Sequence, residues 1–330
     1  MNITTPPTRT LHRLVELACR APSVHNSQPW RWRVEDDRIT LLADRARQLM
    51  RIDPDGRDLL LSCGAALHHL RVAALAEGYR CRVRRDPYGS SDNVLAIVEL
   101  VAADVPTEAV AAAALIDQRR TDRRRFSSWA VPEHRLDELA DAAAGEGVRA
   151  VPVTGQGMRR RLVEILSRAS REQQFDWSAV DETAAWTGPR TTDGVPPENV
   201  PRRVDAERHA DPVGTRYPSG TLVDDSDDHA DPGYDASRLL VLCTDGDETT
   251  ERLRAGEALS AVLLAATGQG LATVPLSQAT EVHATRELLK REILLGVAIP
   301  QVVVRVGWRP VSYEPVPATP RRPLVEVLEV

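Results

Sequence analysis

Ala21-Pro22-Ser23-Val24-His25-Asn26-Ser27-Gln28-Pro29-Trp30 is the stretch whose reading decides the rest of the chain. Pro22 and Pro29 fix φ at both ends and remove two backbone donors, while Ser23, His25, Asn26, Ser27 and Gln28 supply side-chain donors and acceptors between them. The result is a stiff loop with polar groups, suited to a flat ligand with polar edges. On its N-terminal side Leu11, Leu14, Val15 and Ala18 recur at helical spacing, and the helix must end at Ala21 because Pro22 follows. On its C-terminal side Trp30, Trp32 and Val34 alternate with Arg31 and Arg33, Glu35-Asp36-Asp37 turns, and Arg38 to Ala43 returns as the second strand of a hairpin.

Farther along, periodicity predicts helices from Asp58 to Glu77, Thr107 to Ile116, Pro132 to Ala144, Gly157 to Phe175, Thr250 to Thr267 and Val282 to Leu295. Strands are expected at Tyr79 to Arg84, Val94 to Leu100, Val148 to Val153, Leu239 to Thr244 and Val302 to Val306. The segment from about Asp181 to Asp235 differs, being rich in Pro, Gly and Asp with no sustained period. Inside an enzyme, a loop of that length is either disordered or a lid.

The length of 330 residues favours two units or one duplicated unit. A net charge of −6 argues against nucleic acid or an anionic membrane as the main partner. Cys19, Cys63, Cys81 and Cys243 lie far apart without a Cys-x-x-Cys pair, which predicts reduced thiols and no zinc framework. The start Met1-Asn2-Ile3-Thr4-Thr5-Pro6-Pro7 has no apolar core region and no run reaches spanning length, so a soluble, cytoplasmic protein is expected.

One repeat is visible. Gly64-x-Ala66-Leu67-x-x-Leu70-x-x-Ala73-Ala74-x-x-x-Gly78 is matched without a gap by Gly256-x-Ala258-Leu259-x-x-Val262-x-x-Ala265-Ala266-x-x-x-Gly270. Alanine-rich helices resemble one another by composition, but here glycines match in register at both ends. Two such helices can approach closely through their small residues at a pseudo-twofold axis.

Arg119-Arg120-Thr121-Asp122-Arg123-Arg124-Arg125-Phe126 places five guanidinium groups within seven residues. That density fits either a solvated loop paired to surface carboxylates or a seat for a phosphate, whose oxygens match the arginine fork. A nucleic-acid patch is disfavoured because no aromatic residues interleave. His68-His69 lacks a partner at metal spacing, Ser23 and His25 have no nucleophile-elbow sequence, and Gly268-Gln269-Gly270 ends a helix where a dinucleotide loop would begin one.

The Pro22 to Trp30 stretch resembles the Pro-Ser-x-x-Asn-x-Gln-Pro-Trp segment of the nitroreductase-like flavoproteins, where it packs on the flavin ring. Arg119, Thr121 and Arg123 are similar to that family's Arg-x-Ser-x-Arg/Lys phosphate element, with Thr in place of Ser. Pro275-Leu276-Ser277-Gln278 resembles its segment at the flavin N5 edge, and Arg321-Arg322-Pro323 its C-terminal Arg-x-Pro. The split order of these pieces, with the long insertion, is similar to the Acg-type branch. The resemblance implies an α+β nitroreductase-like fold: antiparallel-rich central sheets flanked by helices, in two tandem units of about 1–105 and 106–330 forming an intramolecular pseudo-dimer. The insertion, about 181–235, would be a lid over the flavin, with Trp186, Arg190, Arg202, Arg203 or Tyr217 approaching the ring.

It further implies one FMN at the seam, contacted by Pro22, Ser23, Val24, His25, Asn26, Gln28, Arg119, Arg120, Thr121, Arg123, Pro275, Leu276, Ser277 and Arg321. No side chain is assigned as acid or base, because the cofactor carries the redox chemistry. The partners implied are NAD(P)H and a small electron acceptor such as a nitroaromatic or quinone, with no nucleic acid or membrane, in a monomer whose further dimerisation is left open. The alternative is a protein that sequesters FMN under a closed lid with little or no turnover.

Overall fold

The computed structural model describes residues 6–35, 38–89, 93–189, 191–202, 216–224 and 236–329. In α1 (Thr8–Ala18) the residues Leu11, Leu14, Val15 and Ala18 are buried, as an apolar stripe at helical spacing requires. A 3-10 turn at Val24–Asn26 leads into the hairpin of β1 (Trp30–Glu35) and β2 (Arg38–Ala43). Trp30 and Trp32 are fully buried while Arg31 and Arg33 are exposed, so the alternation reads as expected. After α2 (Arg57–Ala76), β3 (Tyr79–Arg85) and β4 (Val94–Ala102) complete an antiparallel sheet of order β1-β2-β4-β3.

The chain continues through α3 (Thr107–Gln118), α4 (Glu133–Ala144), β5 (Arg149–Val153), α5 (Gln156–Phe175) and α6 (Trp177–Ala185). Beyond the insertion come β6 (Arg238–Thr244), α7 (Thr249–Gly268), β7 (Ala272–Leu276), α8 (Gln278–Glu281), α9 (His283–Leu288), β8 (Ile299–Gly307) and α10 (Leu324–Val327). The second sheet, also antiparallel, has the order β5-β6-β8-β7. Strand by strand this repeats the first order, down to a bulge in each inner pair, at Leu41/Leu42 and at Leu242/Cys243.

α2 and α7, the two helices of the sequence repeat, cross at their glycines. A Cβ added to Gly64 would lie 2.0 Å from the Leu253 carbonyl oxygen, and one added to Gly256 would lie 2.1 Å from that of Leu61. The contact is reciprocal, Leu61 and Gly64 against Leu253 and Gly256, and only glycine permits so close an approach. Within α2, His68 Nδ1 meets Ser260 Oγ of α7 at 2.9 Å, so the histidine pair is packed as expected. α2 is long and apolar enough to cross a membrane, but 78% of that window is buried inside the fold.

The halves exchange segments. Ile116 of α3 and Val327 of α10 belong to the core built on β1, β2 and α2, and Glu329 N donates to Trp32 O at 2.8 Å. Residue 105 therefore separates the sheets in sequence but not the cores in space.

The helix expected from Val282 to Leu295 is present as α9 running without a break into a π turn at Leu289–Ile293, with Val282 its extended N-cap and the left-handed Leu295 past its end. Thr285 Oγ1 donates to Ala279 O and ties this helix to α8. β7 carries Pro275, which hides its strand character; as an edge strand it needs no donor at that position.

Candidate functional site

The Pro22 to Pro29 loop is held in a strained form. His25, Asn26 and Gln28 have φ of 48°, 53° and 50°, left-handed values that cost roughly 1–3 kcal/mol each unless the surroundings enforce them. Enforcement comes from three directions. Ser23 Oγ accepts from Gln28 N at 2.9 Å, and Ser62 Oγ of α2 accepts from Val24 N at 3.1 Å. Asn26 Nδ2 donates to Gly194 O in the insertion and to Pro320 O in the tail, while Arg321 Nη1 donates to Asn26 Oδ1 at 3.0 Å. Gln28 Nε2 donates to Thr192 O at 2.8 Å and its Oε1 accepts from Arg322 N at 2.9 Å.

This loop forms one wall of a cavity of about 120 Å³. Pro22, Ser23, Val24 and His25 face Pro275, Leu276, Ser277 and Gln278 at the end of β7, with Leu61 of α2 and Leu259 of α7 at the helix crossing. Thr121 and Arg123 line the cavity and also a second, wider crevice, which continues to Asn26, Arg119, Arg120 and Arg321. The two spaces thus share Pro22, Ser23, Thr121 and Arg123 as their common edge.

The crevice is strongly basic. Arg20 pairs with Asp117 and Arg322 with Asp44. Arg119 and Arg321, in contrast, have no carboxylate partner among the described residues. Arg119 is 5% exposed, Nη1 reaches only Thr121 Oγ1 at 3.4 Å, and its Nε is a buried donor without an acceptor. Burial and then the neighbouring Arg321, Arg120 and Arg123 pull Arg119 down to about 9; burial, with Arg120 and Arg20, pulls Arg321 down to about 10. Such a cluster suits an anionic ligand. Not all five arginines of the run serve it: Arg124 makes a two-pronged contact with Asp122 at 2.9 and 2.8 Å and covers Tyr313, so it holds the fold.

Over the cavity lies Arg216-Tyr217 of the insertion. Arg216 Nη2 donates to Glu281 Oε1 at 2.8 Å and Nη1 to His25 Nε2 at 3.0 Å. A guanidinium only donates, so Nε2 of His25 accepts and its proton sits on Nδ1. Burial, then Arg216 and Arg123, hold the imidazole neutral, well below its usual range. The Tyr217 ring packs 5.2 Å from that of His25, and the Arg123 guanidinium lies 4.7 Å from the Tyr217 ring centre.

Of the residues expected from sequence, thirteen line the cavity or the crevice; Gln28 does not, its fully buried amide tying insertion and tail to the loop. Among the lid residues Tyr217 reaches the cavity. Trp186 instead packs with Leu49, Ile52 and Ala179 under Arg47, and Arg202 lines neither space. Arg190 and Arg203 lie outside the described residues. Sequence reasoning missed Asp58, Ser62, Arg216 and Glu281. A helix start at Asp58 was legible, but nothing local joins it to Glu281, which is 223 positions away. No group of His, Cys, Asp or Glu able to hold a metal occurs among the described residues.

A fold of two repeated antiparallel sheets with a basic crevice and a cavity at their seam matches a known class. Residues 116–308 match the nitroreductase family, and the chain belongs to that family. It is 39% identical to "Putative NAD(P)H nitroreductase Rv3131" of Mycobacterium tuberculosis, covering all of this chain and 94% of that one. It is 40% identical to "Putative NAD(P)H nitroreductase acg" of the same organism, over 98% of this chain and 96% of that one. Among solved structures, a nitroreductase-family protein of Anabaena variabilis, 11% identical, matches in fold over 93% of this chain and 90% of that one with a TM-score of 0.52.

Proposed function

We propose that the chain is an intramolecular pseudo-dimer that binds one FMN at its seam and passes electrons from NAD(P)H to a nitroaromatic, quinone or similar acceptor. The observation that carries this reading is the buried Arg119 beside the half-buried Arg321, neither with a carboxylate partner among the described residues, in the crevice that shares an edge with the cavity. FMN supplies both halves of the fit, a ring and a phosphate dianion. Arg119, Arg120, Arg123 and Arg321 would hold the phosphate. The Pro22–His25 wall and the Pro275–Ser277 wall would hold the ring between them. When bound, the cofactor supplies the hydride chemistry at N5. The chain orients it, and Arg123 stabilises negative charge at the shared edge of the two spaces.

One site per chain is expected, because the matching position in the other half is filled. In the repeat register Ser277 corresponds to Arg85, and Arg85 there makes a two-pronged contact with the fully buried Glu257 at 2.7 and 2.9 Å, which Arg71 also joins.

The test is a visible spectrum of the purified protein before and after FMN is added, repeated on Arg119→Ala. A flavin band that survives gel filtration supports the reading; wild-type protein that retains no flavin sinks it. A second reading is favoured by the lid: Arg216 locked to Glu281 and His25, with Tyr217 beside it, would keep nicotinamide from the ring. FMN-loaded protein that does not oxidise NADPH with a nitroaromatic present, yet does so once residues 185–230 are trimmed, would favour sequestration over turnover.

A further inference from the structure

Asp58 stands in the first turn of α2, 4% exposed, on the cavity wall near Ser62 and Ser277. The charge of Glu281 acts directly on its carboxyl. Two buried carboxyls that act on each other do not both ionise, so one of them keeps a proton. The surrounding donors decide which one holds it. Glu281 Oε1 accepts from Arg216 Nη2 at 2.8 Å and from Ser277 Oγ at 2.6 Å, and Oε2 accepts from Gln173. Oδ2 of Asp58 is buried with no hydrogen-bond partner among the described residues, a setting that favours the neutral acid over the anion.

The charged neighbours favour the same assignment on balance. Burial, then Glu281 and Asp53, push Asp58 well above the carboxylate range, with Arg216 opposing weakly. Glu281 is held below its ordinary value although burial opposes its charge, because Arg216, Asp58 and Ser277 all stabilise the anion. Asp53, in the turn before α2, is raised to about 6 by burial; it accepts from Leu59 N at 2.9 Å, and its charge adds to the push on Asp58. His25, on the far side of Arg216, is neutral.

We propose that Asp58 is the proton donor of this site: its carboxylic acid, on the same wall as Ser277 and His25, protonates an oxygen of a bound quinone-class acceptor as that acceptor is reduced. The step rests on the flavin reading above. The acceptor takes a hydride from the reduced flavin and the proton from Asp58. The O–H bond of Asp58 breaks as one forms on the acceptor, the flavin is oxidised, the quinone leaves as hydroquinone, and the Asp58 carboxylate recovers a proton from solvent. Glu281, fixed by Arg216, keeps that proton on Asp58 between turnovers and is a positioning residue.

The experiment is single-turnover reoxidation of dithionite-reduced, FMN-loaded protein by a benzoquinone, with the infrared carboxylic-acid band of the oxidised protein recorded alongside. Asp58→Asn is expected to keep FMN, lose the band and reoxidise on the order of 10²-fold more slowly, the usual contribution of a positioned acid. The wild-type rate should fall as pH rises, whereas the variant's should be flat. Glu281→Gln keeps Asp58 but removes the partner that requires its proton; it should also lose the band and slow the reaction. FMN uptake with an Asp58→Asn rate and pH profile equal to wild type, or a band that persists in that variant, overturns the proposal alone. A wild-type protein that takes up no FMN overturns the flavin reading, and this one with it.

Discussion

Replacing Gly64 by Ala probes the crossing of α2 and α7, on which both walls of the site depend. In an open helix the change stabilises by about 1 kcal/mol, since alanine is the better helix former. Here the new Cβ would sit 2.0 Å from the Leu253 oxygen, against an ordinary contact of 3.4 Å, so about 1.4 Å must come from parting the helices. Overpacking of that kind costs about 1–3 kcal/mol, often more where the obstacle is backbone. Because the obstacle is backbone, the cost falls at the upper end of that range, and the expected outcome is a net loss of about 2 kcal/mol. Gly157→Ala is the control: it lies in α5 with nothing within 4 Å of its added Cβ. That substitution should be neutral or stabilising by up to ~1 kcal/mol. Urea midpoints of the two variants measure the difference, and FMN titration of Gly64→Ala should show weaker binding because the walls shift together. Gly256→Ala should mimic Gly64→Ala, with the double variant less than additive because both changes open one contact. A Gly64→Ala protein as stable as wild type, with unaltered FMN affinity, would refute the reasoning.

Arg119→Ala removes a charge-assisted contact to a phosphate and should weaken FMN binding about 10- to 100-fold, while riboflavin, which lacks the phosphate, binds both proteins alike in fluorescence titration. Tyr217→Ala removes the buried ring of a small cluster with Val195 and Val200. At about 2–4 kcal/mol of lost lid packing, stopped-flow displacement should show FMN leaving at least about tenfold faster. His68 is pushed down to about 4, mainly by burial and then by Arg71. Between its ordinary value near 6.5 and about 4, the unfolded chain takes up a proton that the folded chain refuses. Stability is therefore lost as pH falls through that window, by about 1.4 kcal/mol per pH unit for this imidazole. Urea midpoints of His68→Gln across the same window should show a shallower acid limb.

The local signals were legible because they are local. The strand alternation of Trp30 and Trp32, the stop at Pro22 and the paired glycine-alanine helices each depend on a few neighbouring residues, and each appears in the fold. The arginine run was legible as a charge anomaly, but its division was not. Whether a guanidinium meets Asp122, as Arg124 does, or stands unpaired, as Arg119 does, is decided by tertiary burial. The acid pair Asp58 and Glu281 left no trace in sequence, since its chemistry arises only where α2, α8 and the insertion converge.

The central claim is a single flavin seat made from both halves of one chain, and the molar ratio of FMN to polypeptide at saturation addresses it most directly. Absorbance of the released cofactor against protein concentration from amino-acid analysis gives that ratio. The account predicts one FMN per chain; two per chain, or none, would contradict it.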